Sequence, residues 1–310
     1  TGESSGALSG PERICGAVDY TYSIGKFEVT AGQYTEFLNA VAATDTYGLY
    51  NANMWSLEYG CKIQRLGDPG SYIYSVPDPA RVNRPVNIVS WGDAARFANW
   101  LHNGQPGLDV PVAQDENSTE DGSYSLNGAM SIPAIMSVDR RVDATWVIPS
   151  EDEWYKAAYY NGGSDTYYDY STSSDAIPSN DLTVPDDGNS ATFFDSDFTF
   201  GSPYYLTESG EHENSDSPYG TFDQGGNVWE WNEASLSSGS GPSFRGVRGG
   251  SFAESNIHLH AERRGFEDTT NEYDHFGFRV ASVSEPPPLS LLSFFSFLFF
   301  LPPFFSPFSF

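Results

Sequence analysis

The chain has 310 residues, 39% of them hydrophobic and 15% aromatic, enough to fill the core of one large domain without reliance on disulfides. Only 15 Lys and Arg stand against 42 Asp and Glu, a formal charge of −27 that repels phosphate backbones and anionic membrane surfaces and argues against nucleic-acid binding. Because self-repulsion of this size is relieved when cations bind, divalent ions become natural partners.

In chain order, Cys15 and Cys61 come first and fit neither a zinc spacing nor a C-x-x-C motif. A single disulfide between them stays open, since sequence gives no distance. Thr30 with Gln33, Ser90 with Asp93 and Ser150 with Glu153 each place a capping hydroxyl three residues before a side chain that can bond back, so each opens a helix. The apolar faces expected in the core are Tyr34, Phe37, Leu38 and Val41, then Ala94, Phe97, Trp100 and Leu101, then Trp154, Ala157 and Ala158. Residues 104–127 and 162–197 are dense in Gly, Pro, Asn, Asp and Ser, hold no steady period and are expected as long loops, the second ordered by its Tyr and Phe. Short strands are expected at 145–148, 244–248 and 278–281. The expected fold class is α+β, a single domain with little regular structure.

From Ser284 the composition changes to a Pro, Ser, Phe and Leu tail, whose uninterrupted apolar part is shorter than the roughly 20 residues of a spanning helix. We expect an N-terminal extension over 1–19, one domain over 20–283 and a tail over 284–310 outside it. Thr1 without an initiator Met leaves a removed signal peptide or a fragment equally open.

Five segments recur in one order: Phe27-Glu28-Val29-Thr30 with Gln33, Tyr34 and Phe37; Arg84-Pro85-Val86 with Val89-Ser90-Trp91; Ile148-Pro149-Ser150-Glu151 with Glu153-Trp154; Tyr219 to Asp223 running into Gly225-Gly226-Asn227-Val228-Trp229-Glu230-Trp231; and Arg248-Gly249-Gly250-Ser251-Phe252 closing with Gly277-Phe278-Arg279. Together they resemble the sulfatase-modifying-factor family, whose founding member, the formylglycine-generating enzyme, oxidises a sulfatase cysteine. The resemblance implies a variant of the C-type lectin fold. The tail is similar to the bacterial PEP-CTERM sorting signal, although Ser284 replaces its first Pro and no basic cluster follows. That implies a secreted or cell-envelope protein, with membrane contact only through the tail.

Asp223 to Trp231 also has a direct physical reading. Gly225 and Gly226 let the backbone curl and turn carbonyls inward, while Asp223 and Glu230 supply hard carboxylate oxygens suited to calcium. A tight Asx turn leading into a strand is the alternative. The resemblance implies calcium ligands at Asp223, Gly226, Val228 and Glu230. It also implies a second calcium site between Asn189 and Asp197, where Thr192 stands in place of an Asn and the other ligands do not align.

The resemblance further implies two cysteine thiolates that hold copper(I), three and eight residues after Ser251 of the groove. Those positions are Glu254 and Leu259. Glu is a hard ligand and Leu is none, so copper is not expected. His258 and His260 at alternate positions could share one strand face and, with Glu254, Glu262 and His275, hold a transition metal; a hydrogen-bonded surface is the simpler reading. The expected function is a calcium-stabilised, non-catalytic domain that binds a protein or a glycan. The alternatives are a formylglycine-generating oxidase with displaced ligands and a maturation enzyme using another metal.

Overall fold

The computed structural model describes residues 2–6, 11–237 and 243–283, so the tail lies outside the described residues. All three capping boxes form. Thr30 Oγ1 accepts from Gln33 N and Gln33 Oε1 from Thr30 N, and the same reciprocal pair of bonds joins Ser90 to Asp93 and Ser150 to Glu153. Each hydroxyl cap contributes about 1 kcal/mol by satisfying orphan N–H groups, and each fixes where its helix starts: Ala31–Val41, Trp91–His102 and Glu151–Tyr159. The first two pack through an aromatic seam in which the Phe97 ring lies 5.2 Å from Phe37 and 6.1 Å from Tyr34, with Phe278 closing it 5.4 Å from Phe97. All the expected core side chains are buried except Leu101, which is partly open.

Regular structure is sparse, as expected. One sheet has the order Gly265–Glu267, Ser243–Arg248, Trp229–Ser237, Phe276–Gly277, antiparallel except for its last pair. A second sets Ala281–Val283 between Tyr22–Ile24 and Trp146–Val147. The strand expected at 278–281 is thus two short strands flanking Phe278 to Val280, because the chain passes from one sheet to the other there. Reciprocal indole bonds tie the first sheet to the Trp91 helix: Trp91 Nε1 donates to Asn232 O (3.1 Å) and Trp231 Nε1 to Val89 O (2.9 Å). Residues 104–127 contain neither helix nor strand, and 162–197 contribute only two-residue strands while burying Tyr170, Ala191 and Phe193.

The expected N-terminal extension is docked on the domain. Glu3–Ser5 pairs with Arg13–Cys15, Ser5 Oγ donates to Ala261 O, and Arg13 reaches Glu151 Oε2 at 3.0 Å. Glu151 is the hub of this contact: Arg248 and Arg264, both buried, each place two nitrogens on its carboxylate at 2.7 to 2.9 Å. Burial works against the Glu151 charge, but the Arg264 hydrogen bond and the Arg248 and Arg264 charges outweigh it and bring the carboxyl to about 2.

Candidate functional site

The Asp223 to Glu230 turn is built on left-handed backbone at Asp223, Gly226 and Asn227, with φ of 60°, 93° and 56°. Only Gly fits at 226, because a Cβ there would stand 2.2 Å from Thr192 O. Asn227 N donates to Thr192 O and its side chain accepts from Thr207 N, which holds the turn against the 192–207 region.

Glu230 is completely buried, and its carboxylate is already partnered. Arg279 donates from Nε to Oε2 (2.6 Å) and from Nη2 to Oε1 (2.7 Å), and Trp154 Nε1 donates to Oε2 (2.7 Å). The same guanidinium gathers the carbonyls of Gly25, Lys26 and Phe222. Two further carboxylates sit beside this pair, joined by consecutive residues: Ser209 Oγ donates to Glu28 Oε2 (3.3 Å) and Gly210 N to Asp223 Oδ2 (2.6 Å). Glu28 is 2% exposed and its Oε1 has no hydrogen-bond partner. Burial, followed by the charges of Asp223 and Glu230, pushes Glu28 well above the usual carboxylate range; burial also raises Asp223, to about 6, against the opposing Gly210 bond and Arg279 charge.

Glu28 and Asp223 thus lie within charge range of the one guanidinium that Glu230 binds directly, and one buried Glu28 oxygen has no hydrogen-bond partner. A hard divalent cation fits that deficit. Among the described residues no three His, Cys, Asp or Glu side chains converge on one point, so a cation here must draw on backbone oxygens as well. Asp223, Gly226 and Val228, the positions that the resemblance implies, lie along the turn, and Glu230 Oε1 accepts one bond, from Arg279, where Oε2 accepts two, from Arg279 and Trp154. Glu230 would thus be a ligand only while still held by Arg279.

At the groove, Ser251 Oγ donates to Glu254 Oε2, and Trp229 Nε1 donates to Glu254 Oε1 at 3.1 Å. His275 Nε2 stands 4.0 Å from that same oxygen, and its ring lies parallel to Tyr273, 5.5 Å away. Leu259 points inward: it is 1% exposed and packs with Tyr170, Ala191 and Phe193. The position matching the second thiolate is therefore part of the apolar core.

His258 and His260 do not share a strand face. Asn256–His258 is a 3-10 turn, whose threefold period separates the two rings. His258 meets Trp229 edge-on, and His260 meets Tyr170 with Nε2 3.7 Å from Asp169. Cys15 and Cys61 are both free and buried in different clusters; burial, then the charge of Glu151, pushes the Cys15 thiol up to about 11, which leaves it unreactive. Thr192 bonds to Thr207 Oγ1 (2.7 Å) and His212 Nε2 (3.1 Å), so neutral donors and an imidazole occupy the position expected to carry an Asn ligand.

Sequence reasoning missed the roles of Arg279 and Glu28. Both stood in the quoted segments, but an ion pair between residues 49 apart leaves no local spacing to read.

A family model for the sulfatase-modifying factor enzyme 1-like domain matches residues 17–283. No curated protein sequence gives a significant match. Among solved structures, variable protein 1 of Treponema denticola is similar at 21% identity and a TM-score of 0.53, covering 91% of this chain and 92% of its own. CarF (19%, TM-score 0.48, covering 84% and 85%) and PvdO from Pseudomonas aeruginosa (16%, TM-score 0.48, covering 91% and 91%) are further similar structures. With most of its length matched by one family model, from the residues before Thr30 to the last strand, the chain belongs to the sulfatase-modifying factor enzyme 1-like family.

Proposed function

We propose that this domain binds rather than catalyses: a calcium-braced, exported member of its family that presents the groove around Ser251 and Glu254 to a protein or a glycan. The observation that carries this is the pair Glu254 and Leu259. A copper(I) centre needs two soft ligands, and one position offers a hard carboxylate while the other is an alkyl side chain sealed in the core. Neither buried cysteine lies beside the groove residues. Tyr273, 45% exposed, stacks on His275, whose Nε2 lies 4.0 Å from Glu254 Oε1, and gives a ligand an aromatic surface near a hydrogen-bond acceptor. Export rests on the similarity of residues 284–310 to a sorting signal.

Calcium enters this reading as a brace. Held by the Asp223, Gly226 and Val228 oxygens and the Glu230 carboxylate, it would supply the positive charge that the three-carboxylate cluster lacks and fix the turn that leads into the Trp229 strand.

The test is incubation with copper, dioxygen and a Cys-x-Pro-x-Arg peptide, followed by mass spectrometry. The expected result is unmodified peptide, with calcium the stoichiometric metal in the purified protein. An aldehyde product would overturn the non-catalytic reading, and stoichiometric copper or iron would point the same way.

A further inference from the structure

A concavity of about 550 Å3 has neither Ser251 nor Glu254 in its lining. It lies along the first turns of the Ala31–Val41 helix and is lined by Val76, Val82 and Asn83 together with Glu208 and Ser209, whose N donates to Asn83 O, with Phe27 exposed in its wall. Its volume falls within the roughly 300–1,000 Å3 of small-molecule and side-chain sites.

The polar side chains of this lining are unequally committed. Thr30 and Gln33 bond to each other's backbone in the capping box, Thr35 Oγ1 donates to Ala31 O, and Ser209 Oγ donates to Glu28. Glu36 and Glu208 remain. Neither is in a salt bridge within 4 Å among the described residues; the Glu208 side chain has a 3.5 Å contact from Asn83 Nδ2 and a longer-range attraction to Arg84. The cations nearest in the fold are engaged elsewhere: Lys26 Nζ lies over the Phe27 and Phe222 rings, while Arg84 donates to the Ala80 and Leu206 carbonyls and stacks on Tyr204. What this groove offers a ligand is therefore apolar wall and carboxylate acceptors, Glu36 and Glu208, that hold no close ion pair.

We infer that the groove takes a basic side chain of a peptide partner, its charged head on Glu36 and Glu208 and its aliphatic stem against Val76, Val82 and the edge of Phe27. An arginine suits this best, since its stem packs on apolar surface while its fork of donors meets carboxylates. Neither a free inorganic cation nor an anionic glycan would use the apolar wall in this way.

Because a protein of net charge −27 attracts any cation, the test must separate the site from the overall field. Acetyl-Ala-Arg-Ala-amide, with acetyl-Ala-Gln-Ala-amide as its neutral match, is titrated into the 15N-labelled full chain at physiological salt. Shifts confined to residues 27–36, 76–83 and 208–209 with the arginine peptide alone are expected. The double variant Glu36→Gln/Glu208→Gln should weaken binding about fivefold or more, whereas Asp68→Asn/Glu116→Gln, which removes the same charge at exposed positions outside the lining, should change it by less than about twofold. All four carboxylates are on or near the surface, so both variants should fold, and their spectra report it. Scattered shifts, no shifts up to the solubility of the peptide, or equal weakening by the remote pair would each overturn the inference. None of these outcomes depends on the oxidase test or on calcium.

Discussion

Two buried ion clusters in this domain have opposite stoichiometry. At Glu151 three guanidinium groups, from Arg13, Arg248 and Arg264, converge on one carboxylate; at Arg279 three carboxylates, from Glu28, Asp223 and Glu230, share one guanidinium. Both seal a junction between segments distant in sequence. The first is self-sufficient, because Arg13 is 40% exposed at its side chain and also meets Asp152, so its extra charge is solvated. The second keeps its extra charge under cover, and only there is a buried oxygen left without a donor. An excess of guanidinium can be left to water at the rim, whereas an excess of buried carboxylate calls for a proton or a metal ion.

The largest expected effect that would break this comparison comes from Arg279→Met. It leaves the fully buried Glu230 with one indole donor among like charges and should cost about 5 kcal/mol in urea unfolding, since removing one partner of a buried pair is far costlier than the pair is worth. Glu151→Gln should cost about 3 kcal/mol, less because Arg13 already reaches solvent. Near-wild-type stability of Arg279→Met would mean that the carboxylates are neutralised without it. Glu28→Gln should change stability by less than about 1 kcal/mol in metal-free protein, because burial and the charges of Asp223 and Glu230 already disfavour a charge on Glu28.

Calcium sharpens the contrast. A ligand bound only to the native state stabilises by about 2.7 kcal/mol at a hundredfold excess over Kd, so a chelator should lower Tm by several degrees. A melting curve unchanged in EDTA would remove calcium from the proposed function and leave the cluster to protons.

The pH responses should run in opposite directions. The Glu151 carboxyl is held below its ordinary 4.5, so its contribution is present above that value and is lost as pH falls toward about 2. Asp223 is raised from 3.8 to about 6, so the metal-free fold binds a proton that the unfolded chain has released, and stability declines as pH rises through that window. Bound calcium should flatten this decline. Glu272, outside both clusters, is raised by burial and by Asp93 to about 8 and accepts from Asn51 Nδ2 at 2.6 Å. Glu272→Gln should make the decline in stability between about pH 4.5 and 8 shallower, read by urea unfolding at several pH values.

The parts of this fold that were legible in the sequence are those made within one turn of chain. A capping box needs residues three apart, and all three were read correctly, together with the core faces that follow them. The ion clusters were not legible, since Glu230 and Arg279 meet through the parallel pairing of Trp229 and Glu230 with Phe276 and Gly277, which no local pattern announces. The metal alternative weighed for His258 and His260 needs an extended strand, and the segment coils instead.

The central place of Ala281–Val283, between Tyr22–Ile24 and Trp146–Val147, also bears on folding kinetics. The innermost strand of that sheet is the last one among the described residues to be synthesised, so the sheet closes only after the rest of the domain has been made. Its pairing spans more than 250 residues, a large loop-closure cost met late. Until then the Tyr22 and Trp146 segments have no partner between them, a state in which their edges are open to other chains.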